Sequence, residues 1–334
     1  MSKFIDLRAY VAFVIIAMLL VSCNPKDKEN IPTPVVVIKT ATNETYTSVT
    51  MNISVIPYEI GAKVKFEITK KGQQNWTVQP VVLNFSNSTK LNDSVKATFD
   101  IMSLEKGTEY TLRATPSNLA GTSKVVENNF STIAVSDVDS NKYHQVKIGN
   151  QIWLKENLRT THYQNGDPIS NEQDPQAWWN LKTGGYVWCQ NDENLGKVYG
   201  ALYNFYAVLD SRGLAMKGWH IPTYEEWFEL KTFLKNDIAK KLMEQGTAHW
   251  GVTSANPTNA SGFTALPAGE FGERGTDKTL GFMDFKTDAS FWTTYCMGTS
   301  AQIANLSNAR LNFELNLLIN LSYGLSVRAV KNKL

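Results

Sequence analysis

The segment from residue 178 to residue 194 carries side chains that could bind a sugar or a cation. Four aromatic residues flank a Gly-Gly turn, and a polar run follows them: Trp178, Trp179, Tyr186, Trp188 and Asn191-Asp192-Glu193-Asn194. Aromatic faces stack on sugar rings, and their polar tips suit a half-wet site. Oxygens of Asn191 and Asp192 could contact Ca²⁺ or sugar hydroxyls. The alternative is that the rings form a core and the polar run is a solvated loop.

No catalytic or metal-binding motif accompanies this segment. The four histidines, at positions 144, 162, 220 and 249, are scattered, and the chain has no HExxH or CxxC motif. His220 lies between two apolar residues, which favours a hydrogen-bonded core histidine. Glu225 and Glu226 suit the start of a helix better than acid/base chemistry. We therefore expect no catalytic residue and no cofactor, with Ca²⁺ as the one cation considered.

The N-terminus indicates export and lipid attachment. A basic start with Lys3 and Arg8 precedes eleven apolar residues, Val11 to Val21, too few to span a bilayer. Leu20-Val21-Ser22-Cys23 then resembles the lipobox of bacterial lipoproteins. The resemblance implies that residues 1–22 are a signal peptide and that Cys23 becomes an acylated N-terminus. The alternative is an ordinary secretory signal with a cysteine nearby.

A lipoprotein assignment implies where the protein works. Residues 23–34 are polar and contain prolines, which suits a flexible tether to the membrane. Asn24 follows the cysteine instead of the Asp typical of inner-membrane retention, so we expect an outer-membrane lipoprotein that faces the periplasm or the cell surface. The other cysteines, Cys189 and Cys296, would then lie in an oxidising compartment. They either form a disulfide or remain separate buried thiols.

The charge of the chain limits its possible partners, and the distribution of tryptophan divides it into two domains. The formal net charge is +2, from 33 Lys and Arg against 31 Asp and Glu, and no basic patch stands out, so nucleic acid is not an expected partner. Eight of the nine tryptophans follow residue 150. We predict two domains, residues 35–134 and 143–334, joined by a polar linker at 135–142.

The first domain is predicted to be a β-sandwich. Apolar and polar residues alternate in several runs separated by turn residues, which is typical of antiparallel strands with one buried face: Val49 to Val55, Val64 to Ile68, Val95 to Ile101 and Tyr110 to Ala114. The stretch from Leu104 to Tyr110, followed by Asn118-Leu119-Ala120-Gly121-Thr122-Ser123, resembles a fibronectin type III domain of the immunoglobulin-like class. Such a domain implies a rigid spacer.

A short motif in this domain suggests modification. Asp93-Ser94-Val95 resembles the Asp-Ser/Thr-apolar sequence at which some Gram-negative groups O-glycosylate exported proteins. Ser94 is the residue that would carry the glycan. Three residues form a short signal, and the alternative is an unmodified, solvated serine on the wet face of a strand.

The second domain carries several ordered sequence blocks. They resemble the Fibrobacter succinogenes major paralogous domain (FISUMP): Trp153-Leu154-Lys155-Glu156-Asn157-Leu158, Tyr199-Gly200-Ala201-Leu202-Tyr203-Asn204, Gly218-Trp219-His220-Ile221-Pro222-Thr223, Gly262-Phe263-Thr264-Ala265-Leu266-Pro267, Phe291-Trp292 and Ser326-Val327-Arg328-Ala329-Val330-Lys331. Before them, Gly149-Asn150 between two apolar-alternating arms predicts a hairpin. Thr223 and Glu226 predict a capping box that starts a helix, which Asn236-Asp237 would interrupt.

Two of these blocks also resemble the formylglycine-generating enzyme superfamily. They are Ile221-Pro222-Thr223-Tyr224-Glu225-Glu226-Trp227 and Val327-Arg328-Ala329-Val330. The resemblance implies an α+β, C-type-lectin-like fold. Its oxidases hold copper with two neighbouring cysteines, and Cys296 alone cannot form that pair. Ala329 and Met216 stand where relatives often carry cysteines, which is consistent with a missing disulfide. We therefore expect a membrane-anchored, non-catalytic protein that presents a lectin-like domain to a glycan or to an envelope or host protein. The alternatives are a structural envelope protein and an unrecognised enzyme.

Overall fold

The computed structural model describes residues 32–58, 61–84, 93–251 and 256–333. The described residues divide into two compact units. The first takes in those of Met1–Glu44, Ser48–Ser103 and Glu109–Phe130. The second takes in Thr45–Thr47, Leu104–Thr108 and those of Ser131–Leu334.

The first unit is a fibronectin type III-like β-sandwich, as predicted. Its strands are β1 (Val35–Ile38), β2 (Val49–Ile56), β3 (Lys63–Lys70), β4 (Thr77–Asn84), β5 (Val95–Ile101), β6 (Glu109–Asn118), β7 (Gly121–Thr122) and β8 (Val126–Ser131). One antiparallel sheet has the order β1-β2-β5, and the other has the order β4-β3-β6-β7 with β8 also paired to β6. Phe66 of one sheet contacts Phe99 of the other, with ring centroids 4.5 Å apart.

The alternating pattern of the sequence sets which residues fill this sandwich. Val49, Met51, Ile53 and Val55 of β2 are buried, while the residues between them face outward. Tyr110 of β6 is buried as well, and its ring stacks on Phe130. Burial of every second side chain is the expected result of strand geometry when one face meets a core and the other meets water.

The segment expected to be a linker is an ordered part of the second unit. Residues 135–142 lie in the short hairpin of β9 (Val135–Ser136) and β10 (Lys142–Tyr143). The Asp137 carboxylate, in the turn, accepts from the backbone N–H groups of Asp139 and Asn141 and from the Tyr143 hydroxyl. The polar residues that made the segment look like a linker are therefore the ones that hold its turn.

The second unit consists of small sheets with short helices between them. After β9 and β10 its strands are β11 (Gln145–Ile148), β12 (Gln151–Leu154), β13 (Ser170–Asn171), β14 (Gly185–Trp188), β15 (Ala201–Tyr203), β16 (Trp219–His220), β17 (Glu270–Arg274), β18 (Thr279–Met283), β19 (Asp288–Met297), β20 (Ser300–Ser307), β21 (Asn312–Asn320) and β22 (Val330–Lys331). The sheets are β10-β9, β11-β12-β22-β16, β13-β14-β15, β17-β18 and β19-β20-β21. β13 and β14 are parallel, and the other pairs are antiparallel.

The helices of this unit begin at side-chain caps in most cases. They are α1 (Pro175–Asn180), α2 (Glu193–Tyr199), α3 (Phe205–Val208), α4 (Tyr224–Leu234) and α5 (Ile238–Leu242), with one 3-10 turn at Cys189–Asn191. The predicted capping box is present on α4, since the Thr223 side chain accepts from the Glu226 N–H and the Glu226 carboxylate accepts from the Thr223 N–H. Lys235 and Asp237 have positive φ, so the helix breaks between α4 and α5 as predicted.

Aromatic residues dominate the core of the second unit. One cluster centres on Trp153, Trp227, Phe263 and Phe291, and another on Tyr203, Phe205 and Trp292. In the part of the chain that the structure describes, no helix is both long enough and apolar enough to cross a bilayer.

Candidate functional site

Two of the predicted sugar-stacking residues belong to the core. Helix α1 turns Trp178 inward, where it is 1% exposed, and its Nε1–H donates to the Ser322 carbonyl at 2.7 Å. Tyr186 on β14 is also buried, and its ring lies 6.3 Å from that of Tyr203. Since fold contacts surround both rings, neither has a free face for a sugar.

The other two aromatic residues, Trp179 and Trp188, are half-buried. The Trp179 ring meets Tyr323 edge to face, at 5.6 Å between centroids. The Trp188 ring lies against Gly196 of α2, so closely that a Cβ added there would be 2.3 Å from Trp188 Cε3. The Tyr186 and Trp188 rings contact each other, with centroids 5.1 Å apart, whereas Trp178 packs on Phe271 and Trp179 on Tyr323. The structure therefore does not assemble the four rings into one exposed platform.

The predicted polar contacts near these rings serve the helix that follows them. Asn191 and Asp192 are exposed, and Asp192 is the N-cap of α2, where its Oδ1 accepts from the Asn194 N–H at 2.8 Å. Within the described residues, no three His, Cys, Asp or Glu side chains are grouped so that they could hold a metal ion. The Asn-Asp-Glu-Asn run is explained by capping.

The two cysteines after the N-terminal segment are both free in the structure. Cys189 is buried, its thiol donates to the Ala268 carbonyl, and burial raises the pKa of the thiol to about 12. Cys296 is exposed near the end of β19. One thiol is enclosed and the other faces solvent, so the structure has neither the disulfide nor the two buried thiols expected from the sequence.

The remaining sequence-predicted sites lie at the N-terminus and in the first unit. Cys23 lies outside the described residues. Ser94 is exposed and directly precedes β5, so it is open to a modifying enzyme in the folded unit.

A pocket that the sequence did not predict lies where β12, β22 and α4 meet. Its volume is about 290 Å³, and we call it the β22 pocket; it is lined by Asn150, Gln151, Ile152, Glu226, Val330, Lys331, Asn332 and Lys333. The Gly149-Asn150 turn, with φ 61° at Gly149, joins β11 to β12 and brings Asn150 to the rim. Strand β22 pairs with β12 at Val330 and with β16 at the same residue.

Hydrogen bonds fix one wall of this pocket. The His220 ring lies between two oxygens, with Nδ1 2.7 Å from Asn332 Oδ1 and Nε2 2.9 Å from the Glu226 carboxylate. Gln151 Nε2 donates to the Glu226 backbone carbonyl at 2.9 Å. The chain of Asn332, His220 and Glu226 thus ties the C-terminal segment to the first turn of α4, and it orients the polar side chains before any ligand arrives.

The other side chains of the β22 pocket are available to a ligand. Asn150, Lys331 and Lys333 are exposed, and Ile152 is a half-buried apolar surface between them. Lys333 Nζ lies 3.5 Å from Glu229, whereas Lys331 has no ion-pair partner in the described parts of the chain. With two lysines and one glutamate, the lining has a formal charge of +1. It can donate hydrogen bonds to hydroxyl or carboxylate oxygens while an apolar ligand face covers Ile152.

Arg328 anchors the chain that leads into β22. Its side chain is fully buried and donates to Asn157 Oδ1 and to the carbonyls of Leu154, Lys155 and Phe263. Burial lowers its pKa to about 9, and the charge of Glu156 opposes that change. Because several acceptors surround the guanidinium, the C-terminal wall of the pocket rests on a rigid base.

A second cavity lies beside a histidine that an aspartate holds in place. It measures about 260 Å³, and it is lined by Ser136, Asp137, Val138, Thr160, His162, Gln164, Leu214, Ala215, Met216 and Lys217. His162 Nδ1 is 2.6 Å from Asp139 Oδ1, while Thr160 and Thr161 donate to Asp139 Oδ2. Burial raises the pKa of Asp139, but the hydrogen bonds from Thr161, Thr160 and His162 outweigh it, and the pKa is lowered.

Every histidine of the chain is paired with a carboxylate in this way. The pairs are His144–Glu156, His162–Asp139, His220–Glu226 and His249–Glu244, with N···O distances of 2.6 to 2.9 Å. Their sequence separations of 12, 23, 6 and 5 residues follow no repeat. No sequence signal could therefore have identified them before the fold was known.

Comparison with known proteins identifies the family of the second unit. Residues 146–331 match the Fibrobacter succinogenes major domain, which is more than half of the chain, so the protein belongs to this family. No curated protein matches the chain.

Solved structures resemble shorter stretches of the chain. The sensor domain (short form) of the anti-sigma factor RsgI4 of Pseudobacteroides cellulosolvens is 18% identical, with a TM-score of 0.24, over 32% of this chain and 100% of that one. The third fibronectin III domain of human KIAA0343 protein is 16% identical, with a TM-score of 0.19, over 32% and 85%. The cycloalternan-forming enzyme of Listeria monocytogenes is 25% identical, with a TM-score of 0.20, over 34% and 11%.

Proposed function

We propose that the protein is a non-catalytic, lipid-anchored envelope protein whose second unit binds a glycan in the β22 pocket. The observation that carries this proposal is the pocket itself, with polar groups from three elements oriented by the Asn332–His220–Glu226 chain. Side chains that are fixed before binding lose little entropy when a ligand arrives, which is typical of recognition sites.

The chemistry of the lining favours an acidic sugar. Asn150 can bond ring hydroxyls, Lys331 can pair with a carboxylate, and Ile152 can meet the apolar face of a sugar ring. The volume of about 290 Å³ is at the low end for small-ligand sites, so one or two sugar units would fill it. A protein ligand that presents an acidic side chain is the related alternative.

The fold that we propose for the second unit supports the same function. We infer that the second unit is C-type-lectin-like, because two of its sequence blocks resemble the formylglycine-generating enzyme superfamily. The β11-β12 hairpin and the last strand, β22, pair in one sheet, so chain from near the two ends of the unit meets there. The intervening chain forms the other small sheets and the loops. A fold of this kind presents irregular chain for binding while its ends stay fixed.

The proposed cellular location of the protein rests on its N-terminal sequence. Acylation of Cys23 would tether the chain to the outer membrane, and the sandwich would act as a spacer. Replacing Cys23 with Ser should abolish labelling by a palmitate analogue and move the protein out of the outer-membrane fraction. Membrane association that persists in the Cys23→Ser variant would contradict lipid anchoring.

The binding proposal is tested with the full-length chain on a glycan array that includes uronate-containing oligosaccharides. The Lys331→Gln variant should bind the best ligand about fivefold more weakly, as expected for loss of one exposed ion pair. Lys142→Gln, which removes an exposed lysine of β10, is the matched control and should bind like the wild type. Equal binding by the wild type and Lys331→Gln would rule out the pocket. Binding of no glycan, with capture of one envelope protein, would favour the structural alternative.

An enzymatic function is the second candidate, and the Asp139–His162 pair favours it. Asp139 fixes His162 through Nδ1, which leaves Nε2 for the adjoining cavity, and a histidine held in this way can act as a general base. Hydrolysis of ester or glycoside substrates by the wild type and not by His162→Gln would support this function. Absence of turnover on both substrate classes would exclude it.

A further inference from the structure

The first unit has a cavity of its own on the outer face of the β1-β2-β5 sheet. Its volume is about 370 Å³, and we call it the sandwich cavity; it is lined by Lys39, Thr40, Thr42, Asn52, Ile53, Lys96, Ala97 and Thr98. All of these residues lie in the first unit. The cavity is therefore separate from the β22 pocket and from the function proposed for it.

The strand register places the two lysines on opposite sides of this cavity. The Lys39 N–H donates to the Asn52 carbonyl, and Asn52 lies opposite Thr98, so one row of side chains crosses the sheet. Lys96 lies opposite Ser54 in the neighbouring row of the same face. With strands about 4.8 Å apart and a two-residue repeat of about 6.8 Å, the Cα atoms of Lys39 and Lys96 are about 12 Å apart.

The floor between the lysines is a fixed polar surface. Asn52 Nδ2 donates to Thr42 Oγ1 at 2.9 Å, and Thr42 and Thr50 exchange two backbone hydrogen bonds. These bonds hold the chain after β1 against β2, and this chain forms one wall of the cavity. The Thr98 hydroxyl, from β5, belongs to the opposite wall.

The electrostatics of the cavity favour an anion. No carboxylate lines it, and neither lysine has an acidic partner within the described ranges, which leaves two formal positive charges. Asp100, the acid on the same face of β5, accepts a hydrogen bond from the Thr50 hydroxyl at 2.6 Å. Two ammonium groups that flank hydroxyl and amide donors provide both the charge and the directed bonds that an oxyanion needs.

We propose that the sandwich cavity binds sulfate or carboxylate groups of an anionic polysaccharide. The lysines lie on opposite sides of the cavity, with their Cα atoms about 12 Å apart. Consecutive acidic groups of an extended chain that crosses the sheet can reach both, with the sugar hydroxyls over Asn52 and Thr98. The sandwich is then a second contact for carbohydrate and more than a spacer.

The test compares binding of the full-length chain to dextran sulfate, polygalacturonate and uncharged dextran by surface plasmon resonance. We expect binding to the two acidic polymers, no binding to dextran, and weakening as NaCl rises from about 50 to about 300 mM, because salt screens exposed charges. Lys39→Gln and Lys96→Gln should each weaken binding by about threefold to fivefold. Lys124→Gln, at another exposed lysine of the same unit, is the matched control and should bind like the wild type.

Three results would assign the binding to something other than the sandwich cavity. Equal weakening in Lys124→Gln would show a general charge effect and overturn the proposal. Weakening in Lys331→Gln, with full binding in the Lys39 and Lys96 variants, would assign the acidic polymer to the β22 pocket instead. Binding to vesicles of anionic phospholipid is measured in parallel. If the Lys39 and Lys96 variants lose vesicle binding but keep polymer binding, the anion that the cavity binds is a lipid headgroup.

Discussion

At the scale of single residues, Arg328 shows what a buried charge needs in order to be tolerated. Removing a guanidinium from water is costly, and only good geometry with several acceptors offsets the cost. Asn157 and three carbonyls supply those acceptors, and the Phe263 ring lies 4.3 Å from the guanidinium carbon. The sequence block around Arg328 predicted family membership, but it did not predict that the arginine is enclosed.

The Arg328→Met variant should lose much of the stability of the second unit. The substitution keeps the length of the side chain but leaves the Leu154 and Phe263 carbonyls buried without this donor, which costs about 1–3 kcal/mol for each carbonyl. Urea unfolding followed by tryptophan fluorescence reports this unit, because eight of the nine tryptophans lie in it. Arg274→Met removes an exposed arginine and should change the free energy of unfolding by less than about 0.5 kcal/mol. Similar values for both variants would contradict the structural role of Arg328.

At the scale of elements, local sequence rules predicted what local physics determines. The strand periodicity of β2, the two-residue turn at Gly149-Asn150 and the capping box on α4 all depend on neighbouring residues, and each is confirmed. The roles of Trp178 and Trp188 depend on distant partners such as Ser322 and Gly196. An aromatic residue has the same local signature in a core as on a binding surface, so the sequence could not separate these roles.

Helix α2 provides a test of one such distant contact. Ala normally stabilises a helix by about 1 kcal/mol relative to Gly. At position 196 the added methyl group would meet the Trp188 ring, so Gly196→Ala should instead destabilise the protein by about 1–3 kcal/mol in urea unfolding. The double variant Gly196→Ala with Trp188→Ala removes the clash, and the two effects should be strongly non-additive. Additive effects would show that Trp188 does not pack on Gly196.

At the scale of the whole molecule, the candidate sites are assembled from parts that are far apart in the chain. The β22 pocket joins residues 150–152, Glu226 and residues 330–333, and the sandwich cavity joins residues 39–42, 52–53 and 96–98. No spacing rule connects such segments, and only the strand pairing brings them together. The four histidine–carboxylate pairs have the same origin.

The stability of the second unit should fall on both sides of a mildly acidic optimum. Burial raises the pKa of Glu270 to about 7, and the nearby charges of Asp284 and Asp288 add to this effect. The native state therefore binds more protons than the unfolded state between about pH 4.5 and 7, and stability falls as pH rises through this range.

Two other carboxyl groups, Glu156 and Asp139, act in the opposite direction. Burial raises the pKa of Glu156, but its hydrogen bonds to His144 outweigh burial, so the net pKa is lowered, as it is for Asp139. Folding is favoured by these two groups above about pH 4.5, and that contribution is lost as pH falls further.

One variant should remove the decline above pH 5, and a second should reduce the decline on the acid side. Glu270→Gln keeps an acceptor for the Ser290 hydroxyl and cannot ionise, so it should stabilise the protein by about 3 kcal/mol at pH 8 and change little at pH 4. Asp139→Asn should lower stability at pH 7 and flatten the decline on the acid side. Calorimetry of the full-length chain from pH 3 to pH 8 measures both. If Glu270→Gln has the same effect at pH 4 and pH 8, the loss of stability above pH 5 does not come from ionisation of this buried carboxyl group.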